Sequence, residues 1–293
     1  MTGHDYGALL EALRGVTWPA RRAALAGTAG THHSRLRGLS AEFTEYRPYR
    51  QGDDPRRLDW KLLARTDRAY LRVTSDRATL GTLLLVDASA SMAFPAGQPG
   101  KWAQACRVGV GLAAVALAAG DPVGVAVPVP GGTSRVRLRT RRGVLGEIVR
   151  VLDGARPGGA APLAPALAEA RGVPRVAIVA DFLGDEPDML RCAGELVAGG
   201  TEVHAVHVVA RSELEPGAAA ILATDPERSD LERPLVAETR EAYRLRFAEW
   251  RRDTARAWRA AGASWTEVAD DEPAARAVRR VAALAGSRAG SAA

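Results

Sequence analysis

The sequence predicts an α/β protein built on a doubly wound, mostly parallel sheet, preceded by an N-terminal extension. Three observations predict it. Apolar runs rich in Leu, Val and Ala recur at 82–87, 122–129, 174–180 and 201–210, and such runs read as strands buried on both faces. Helical stretches separate them, and alternating β and α elements of this length close into a sheet with helices on both faces. Two of the runs, LLLVD and VAIVAD, end in an acid, Asp87 and Asp181. In open α/β sheets the carboxyl ends of the strands are where loops diverge and ligands bind.

Taken in order, Leu9, Leu10 and Leu13 have helical spacing before a Gly-rich stretch, GTAGTHHSRLRG. His32 and His33 are adjacent there, so on a strand they face opposite ways and do not chelate together. Residues 42–73 are dense in Arg, acids and aromatics. Within them Gly52-Asp53 permits a turn, Asp54 is a good N-cap and Pro55 suits a first helical turn, which predicts a helix from 55 to about 65. Arg50, Asp53, Arg57, Asp59 and Arg65 are read as a paired network that orders the segment. From 82 the pattern is strand, helix at 101–119, strand, then a Gly131-Gly132 turn into SRVRLRT, whose alternation marks a half-exposed edge strand. A helix near 143–152, a short helix in PLAPALAEA, the strand at 174–180 and a helix near 187–198 follow. TEVHAVHVVA is a further buried strand, with His204 and His207 as core or edge groups. A long helix at 233–261, a last strand in ASWTEVA and a closing helix at 271–285 complete the chain.

Composition narrows the function. With 47% hydrophobic and 25% charged residues, the 293-residue chain has the make-up of an ordinary folded domain. Its longest apolar helix candidate, Val108 to Ala119, is too short to cross a bilayer and the N-terminus shows no apolar signal core, which gives a cytoplasmic expectation. Cys106 and Cys192, the two cysteines, fall on separate helices and read as buried thiols. The net charge of +6 comes from 40 basic residues, all Arg except Lys61 and Lys101. The Arg-rich stretch 241–258 is read as a helix whose Leu245, Phe247, Trp250, Ala257 and Trp258 face the sheet, so no nucleic-acid partner is expected.

Asp87, Ser89 and Ser91 lie two apart in a loop leaving a strand, where three oxygens can converge on a hard cation such as Mg²⁺, with Asp181 from a neighbouring strand reaching the same point. The alternative is that the serines cap the following helix. A strand ending in Asp could also present a phosphatase nucleophile, which makes an Mg-dependent phosphoester hydrolase the alternative function. Phosphatases of the haloacid-dehalogenase type need a second Asp two residues on, where this chain has Ser89. The chain also has no phosphate loop, no Gly-x-Ser-x-Gly elbow and no HExxH helix.

LLLVDASASM resembles the Asp-x-Ser-x-Ser signature of von Willebrand factor A-type domains, and EFTEYRPYRQGDDPRRLDWKLLARTDRAYLR upstream resembles the signature of the bacterial family called domain of unknown function 58. The likeness runs over most of residues 30–210. It implies a Rossmann-like von Willebrand A domain at 79–293 and an N-terminal extension at 1–78 that carries the family segment. It also implies a non-enzymatic protein-binding adaptor, partnered by a MoxR-type AAA+ ATPase and a client protein, in protein maturation or complex assembly. In the complete metal-ion-dependent adhesion site of such domains a Thr joins the ligands that correspond here to Asp87, Ser89, Ser91 and Asp181. The matching position is Ala161, in Ala160-Ala161-Pro162-Leu163, so the resemblance implies a degenerate site in which Mg²⁺ is weak or absent.

Overall fold

The computed structural model describes residues 6–20, 29–33, 43–50, 53, 58–74, 77–95, 100–159, 162–184, 186–217, 221–224 and 232–286. The chain divides into two compact units, residues 22–80 and a larger one made of 1–21 with 81–293. The N-terminal stretch up to residue 21 therefore counts with the large sheet and not with the family segment that follows it.

The larger unit starts with α1 (Gly7–Ala12). The smaller unit holds β1 (Ala29–His33) paired antiparallel with β4 (Arg77–Ala78), β2 (Phe43–Pro48) paired antiparallel with β3 (Tyr70–Thr74), and α2 (Trp60–Thr66) between β2 and β3. The helix expected from 55 begins instead at Trp60, because Asp59 is its cap: its carboxylate accepts the Leu62 N–H at 3.0 Å. The other oxygen of Asp59 accepts the Tyr46 hydroxyl from β2 at 2.9 Å. Asp53 pairs with Arg47 through two bonds of 2.8 and 3.0 Å and also accepts the Arg50 backbone N–H. Order in the segment thus comes from Arg47–Asp53 and Asp59–Tyr46, while Asp54, Pro55 and Arg57 lie outside the described residues.

The larger unit is the doubly wound fold. Its elements are β5 (Thr82–Val86), α3 (Lys101–Ala118), β6 (Val123–Val129), β7 (Gly132–Arg139), α4 (Val144–Gly154), α5 (Leu163–Ala168), β8 (Arg175–Ala180), α6 (Glu186–Ala198), β9 (Glu202–Val209), α7 (Arg211–Leu214), a hairpin of β10 (Ile221–Thr224) and β11 (Glu232–Leu235), α8 (Ala237–Ala260), β12 (Ser264–Ala269) and α9 (Ala274–Gly286). Six strands form one sheet in the order β12-β9-β8-β5-β6-β7, all parallel except the edge strand β7. Alternation decides which side each residue serves. Leu84 and Val86 pack with α1, α3, α4 and α9, while Leu85 joins α5, α6 and α8 on the other face.

The amino edge of the sheet is closed by a buried ion cluster. Arg175 lies 3.3 Å from Glu202 and 4.0 Å from Asp121, and it donates to the backbone oxygens of Trp18 and Pro19. Its guanidinium also stacks 4.3 Å over the Trp18 ring, which fastens the N-terminal stretch to the sheet. Burial pulls the Arg175 pKa below the ordinary arginine value in spite of Glu202 and Asp121.

Helix α8 covers the sheet with only its second half. Trp258 is fully buried and Trp250 and Phe247 are partly so, but Leu245 stands 63% exposed. The apolar periodicity of the helix continues past the point where there is sheet to cover. Among the described residues no helix is long and apolar enough to cross a membrane.

Candidate functional site

Strands β5 and β8 are neighbours in the sheet, yet the chain leaves β5 toward β6 on the other side, which makes the β5–β8 boundary the topological switch point. Val86 is opposite Val179, and the Asp87 N–H donates to the Val179 oxygen at 2.9 Å. Asp87 and Asp181 therefore leave the sheet side by side at its carboxyl edge, where the sequence placed them.

The Asp87 carboxylate accepts the Ser89 N–H at 2.8 Å, folding DASAS back on itself, and the Ser89 and Ser91 hydroxyls lie 3.1 Å apart in hydrogen-bond contact. A single 3-10 turn follows at Ala90–Ala93, and Ser89 makes no side-chain capping bond to it. The long helix α3 begins only at Lys101, with Gly100 as its cap, so neither serine caps it. The capping alternative fails because α3 starts ten positions after Ser91. The loop leading to α5 runs against this turn: the Gly158 N–H donates to Ala88 and the Ala90 N–H donates to Gly159, at 2.9 and 3.1 Å. Ala161 itself lies outside the described residues.

Asp181 meets a partner that sequence reading did not assign. The Lys101 ammonium donates to Asp181 Oδ2 at 2.8 Å and to Glu213 Oε1 at 2.7 Å, and all three side chains are largely or wholly buried. Lys101 is the first residue of α3. Side chains tilt toward a helix N-terminus, so this one reaches past the helix end into the sheet edge. Gly100 lies close against Phe94 and Pro95: a Cβ there would meet Pro95 Cδ at 2.6 Å and the Phe94 oxygen at 2.7 Å, and the Lys101 N–H bonds that same oxygen. Asp181 Oδ1 in turn accepts the Leu183 N–H at 3.2 Å. Glu213 is fixed by α7, its Oε2 accepting the Ala210 N–H at 2.8 Å, while the Arg211 N–H bonds Asp270 at the end of β12. Burial pulls the Lys101 pKa down, but Asp181 and Glu213 outweigh it and hold the ammonium above the ordinary lysine value. Tyr243 of α8 feels the Glu213 charge; burial first and that charge second push its phenol up to about 12.

The four residues expected at the site, Asp87, Ser89, Ser91 and Asp181, are all buried. Beside the charged residues Arg211 and Glu215 that follow β9, the edge exposes two large apolar side chains. Phe94, three residues after Ser91, is 41% exposed, and Leu183, two after Asp181, is 49% exposed. The Lys101 ammonium lies 5.8 Å from the Phe94 ring centre, so both apolar residues flank the same buried ion cluster. Leu183 is turned outward by Phe182, a non-glycine residue at φ 58°, whose own ring is buried against Trp258 and Trp265 at 4.9 and 5.0 Å. Such a conformation costs free energy and persists because the aromatic packing over-determines it. Among the described residues no group of three or more His, Cys, Asp or Glu is placed to hold a metal ion.

A family model described as "Protein of unknown function DUF58" matches residues 45–257. An uncharacterized protein of Mycobacterium bovis and one of Mycobacterium tuberculosis are each 28% identical over 251 residues, covering 83% of this chain and 78% of each relative. Among solved structures, BatB from Bacteroides thetaiotaomicron aligns with 70% of this chain and 98% of its own at 15% identity and a TM-score of 0.45. The SpRpn10 VWA domain aligns with 67% of this chain and 92% of its own at 10% identity and a TM-score of 0.41. Likeness at this level carries no functional weight.

Proposed function

The chain belongs to the DUF58 family, and we propose that it is a non-catalytic docking protein that receives a partner at the carboxyl edge of its sheet. The observation that carries this reading is the exposure of Phe94 and Leu183 on either side of a closed, internally paired cluster. Large apolar side chains left in the open are what binding interfaces use as anchors. The acids beneath them are poor candidates for chemistry. A nucleophilic or basic carboxylate must reach its substrate, whereas Asp181 has both oxygens engaged by protein groups and Asp87 is buried.

The partner implied by the family resemblance is a MoxR-type AAA+ ATPase, with a client protein that the pair matures or assembles in the cytoplasm. The test is affinity capture of the ATPase encoded in the same organism by this chain and by a Phe94→Asp, Leu183→Asp double variant. The double variant is expected to keep its circular dichroism and melting midpoint, since both side chains are exposed, and to lose at least about tenfold in affinity, as hot-spot truncations do. Unchanged capture would contradict the docking edge. A phosphoester turnover in Mg²⁺ that Asp87→Asn abolishes would contradict the non-catalytic reading and favour the hydrolase.

A further inference from the structure

We propose that Lys101 is the resident cation of this edge, holding Asp181 and Glu213 in the way a bound metal ion would, and that it excludes a divalent ion from the position which the Asp-x-Ser-x-Ser pattern implies. This deepens the docking reading by saying what the docking edge is built around, but its evidence is separate from the evidence for a partner.

The donor set does not fit a divalent ion. Magnesium needs near-octahedral oxygen ligands with free lone pairs. Each Asp181 oxygen already accepts one bond, Oδ2 from the Lys101 ammonium at 2.8 Å and Oδ1 from the Leu183 N–H at 3.2 Å, so a divalent ion would have to share either oxygen with a donor already in place. Asp87 already accepts the Ser89 N–H, and the two serine hydroxyls bond each other. The position that the family resemblance matches to the remaining hydroxyl is Ala161, whose side chain has no oxygen. Any ion sharing Asp181 would also sit within a few ångströms of a buried ammonium, and like charges at that range in a poorly solvated site repel strongly.

The lysine suits the role that the metal leaves. An ammonium is a compact point charge with three donors, able to bridge carboxylates from two directions. Here it ties three separate parts of the unit together at one point: the start of α3, the end of β8 and the short helix α7. A metal-centred site would make the edge responsive to ion concentration. A lysine-centred one keeps the loops bearing Phe94 and Leu183 set at all times.

The experiment uses the full chain, with Mg²⁺ and Mn²⁺ as probes and potassium chloride at matched ionic strength as the control. Wild-type protein is expected to show a melting midpoint that moves by less than about 1 °C at 10 mM Mg²⁺, and no high-affinity Mn²⁺ signal by electron paramagnetic resonance. Lys101→Met removes the ammonium at similar volume and leaves Asp181 and Glu213 facing one another without a cation. Its midpoint should fall well below wild type and recover by about 3 °C or more with either divalent ion. Asp181→Asn placed in the Lys101→Met background should abolish that recovery. Should Lys101→Met not fold at all, refolding yield with and without 10 mM Mg²⁺ gives the same reading, with a severalfold rise expected. The proposal is overturned by Mn²⁺ binding to wild type at micromolar concentration, or by a Lys101→Met protein whose stability and refolding yield ignore divalent ions. Neither result touches the partner-capture test, so a metal found in wild type with capture still lost in the Phe94→Asp, Leu183→Asp variant would remove Lys101's role and leave the docking edge standing.

Discussion

At the scale of single residues, charge is used in two ways. Lys101, Asp181 and Glu213 form a buried set, where losing one member strands the others and such losses run to about 3–5 kcal/mol. Asp59 works at the surface of the smaller unit, as cap of α2 and acceptor for Tyr46. Replacing it with Ala should cost about 1–2 kcal/mol by urea denaturation, the usual worth of a cap plus one exposed hydrogen bond, with Asn recovering part of it. A loss above about 4 kcal/mol would mean that Asp59 belongs to a deeper network of the kind expected from its sequence surroundings. The role of Lys101 was hidden from sequence reading because its partners are 80 and 112 residues away along the chain. One signal was present. Of 40 basic residues only Lys61 and Lys101 are lysine, and a closed position between two carboxylates accepts a compact ammonium more readily than a planar guanidinium.

At the scale of elements, the buried strands and the helices between them were legible because apolar runs and helical periodicity are local signals. Strand β8 ends at Ala180 and α3 spans Lys101–Ala118, as the pattern placed them. The hairpin β10–β11 was not legible, since ILAT and ERPL are too short and too mixed to carry alternation. Nor could periodicity tell where α8 would run out of sheet, so Leu245 was assigned to a core that ends before it. Glu267 shows how α8 is held where it does pack. Its Oε1 accepts from Arg251 of α8 at 2.7 Å, and its Oε2 lies 3.4 Å from His207 of β9. Burial pushes the Glu267 pKa up, but His207 with the charges of Arg251 and Arg280 pulls it further down, below the ordinary glutamate value. A carboxylate whose folded pKa is depressed adds stability above its unfolded pKa and loses that contribution as pH falls through the folded value. Chemical denaturation from about pH 6 down to about pH 3 should therefore show a shallower acid decline for Glu267→Gln than for wild type, from a lower starting point. Parallel profiles would show that this carboxylate makes no pH-dependent contribution.

At the scale of the whole molecule, the two edges of the large sheet are closed by two different buried cations. Arg175 at the amino edge holds Trp18 and the N-terminal stretch, and Lys101 at the carboxyl edge holds the loops that follow β5 and β8. The first anchors the stretch at Trp18 and Pro19, and the second lies beside the exposed Phe94 and bonds the Asp181 that precedes Leu183. The doubly wound architecture and the meeting of Asp87 with Asp181 at the switch point were both readable from the sequence, because each strand announces its own end with an acid. Which side chains would face outward was not, since exposure depends on turns such as the left-handed one at Phe182. Docking of a partner on this edge is tested most directly by amide hydrogen exchange of the chain with and without the proposed ATPase. Slowed exchange is expected at 88–95 and 182–184, the loops that carry Phe94 and Leu183, with little change along the amino edge around Trp18. Protection confined to residues 22–80, with 88–95 and 182–184 unchanged, would contradict it.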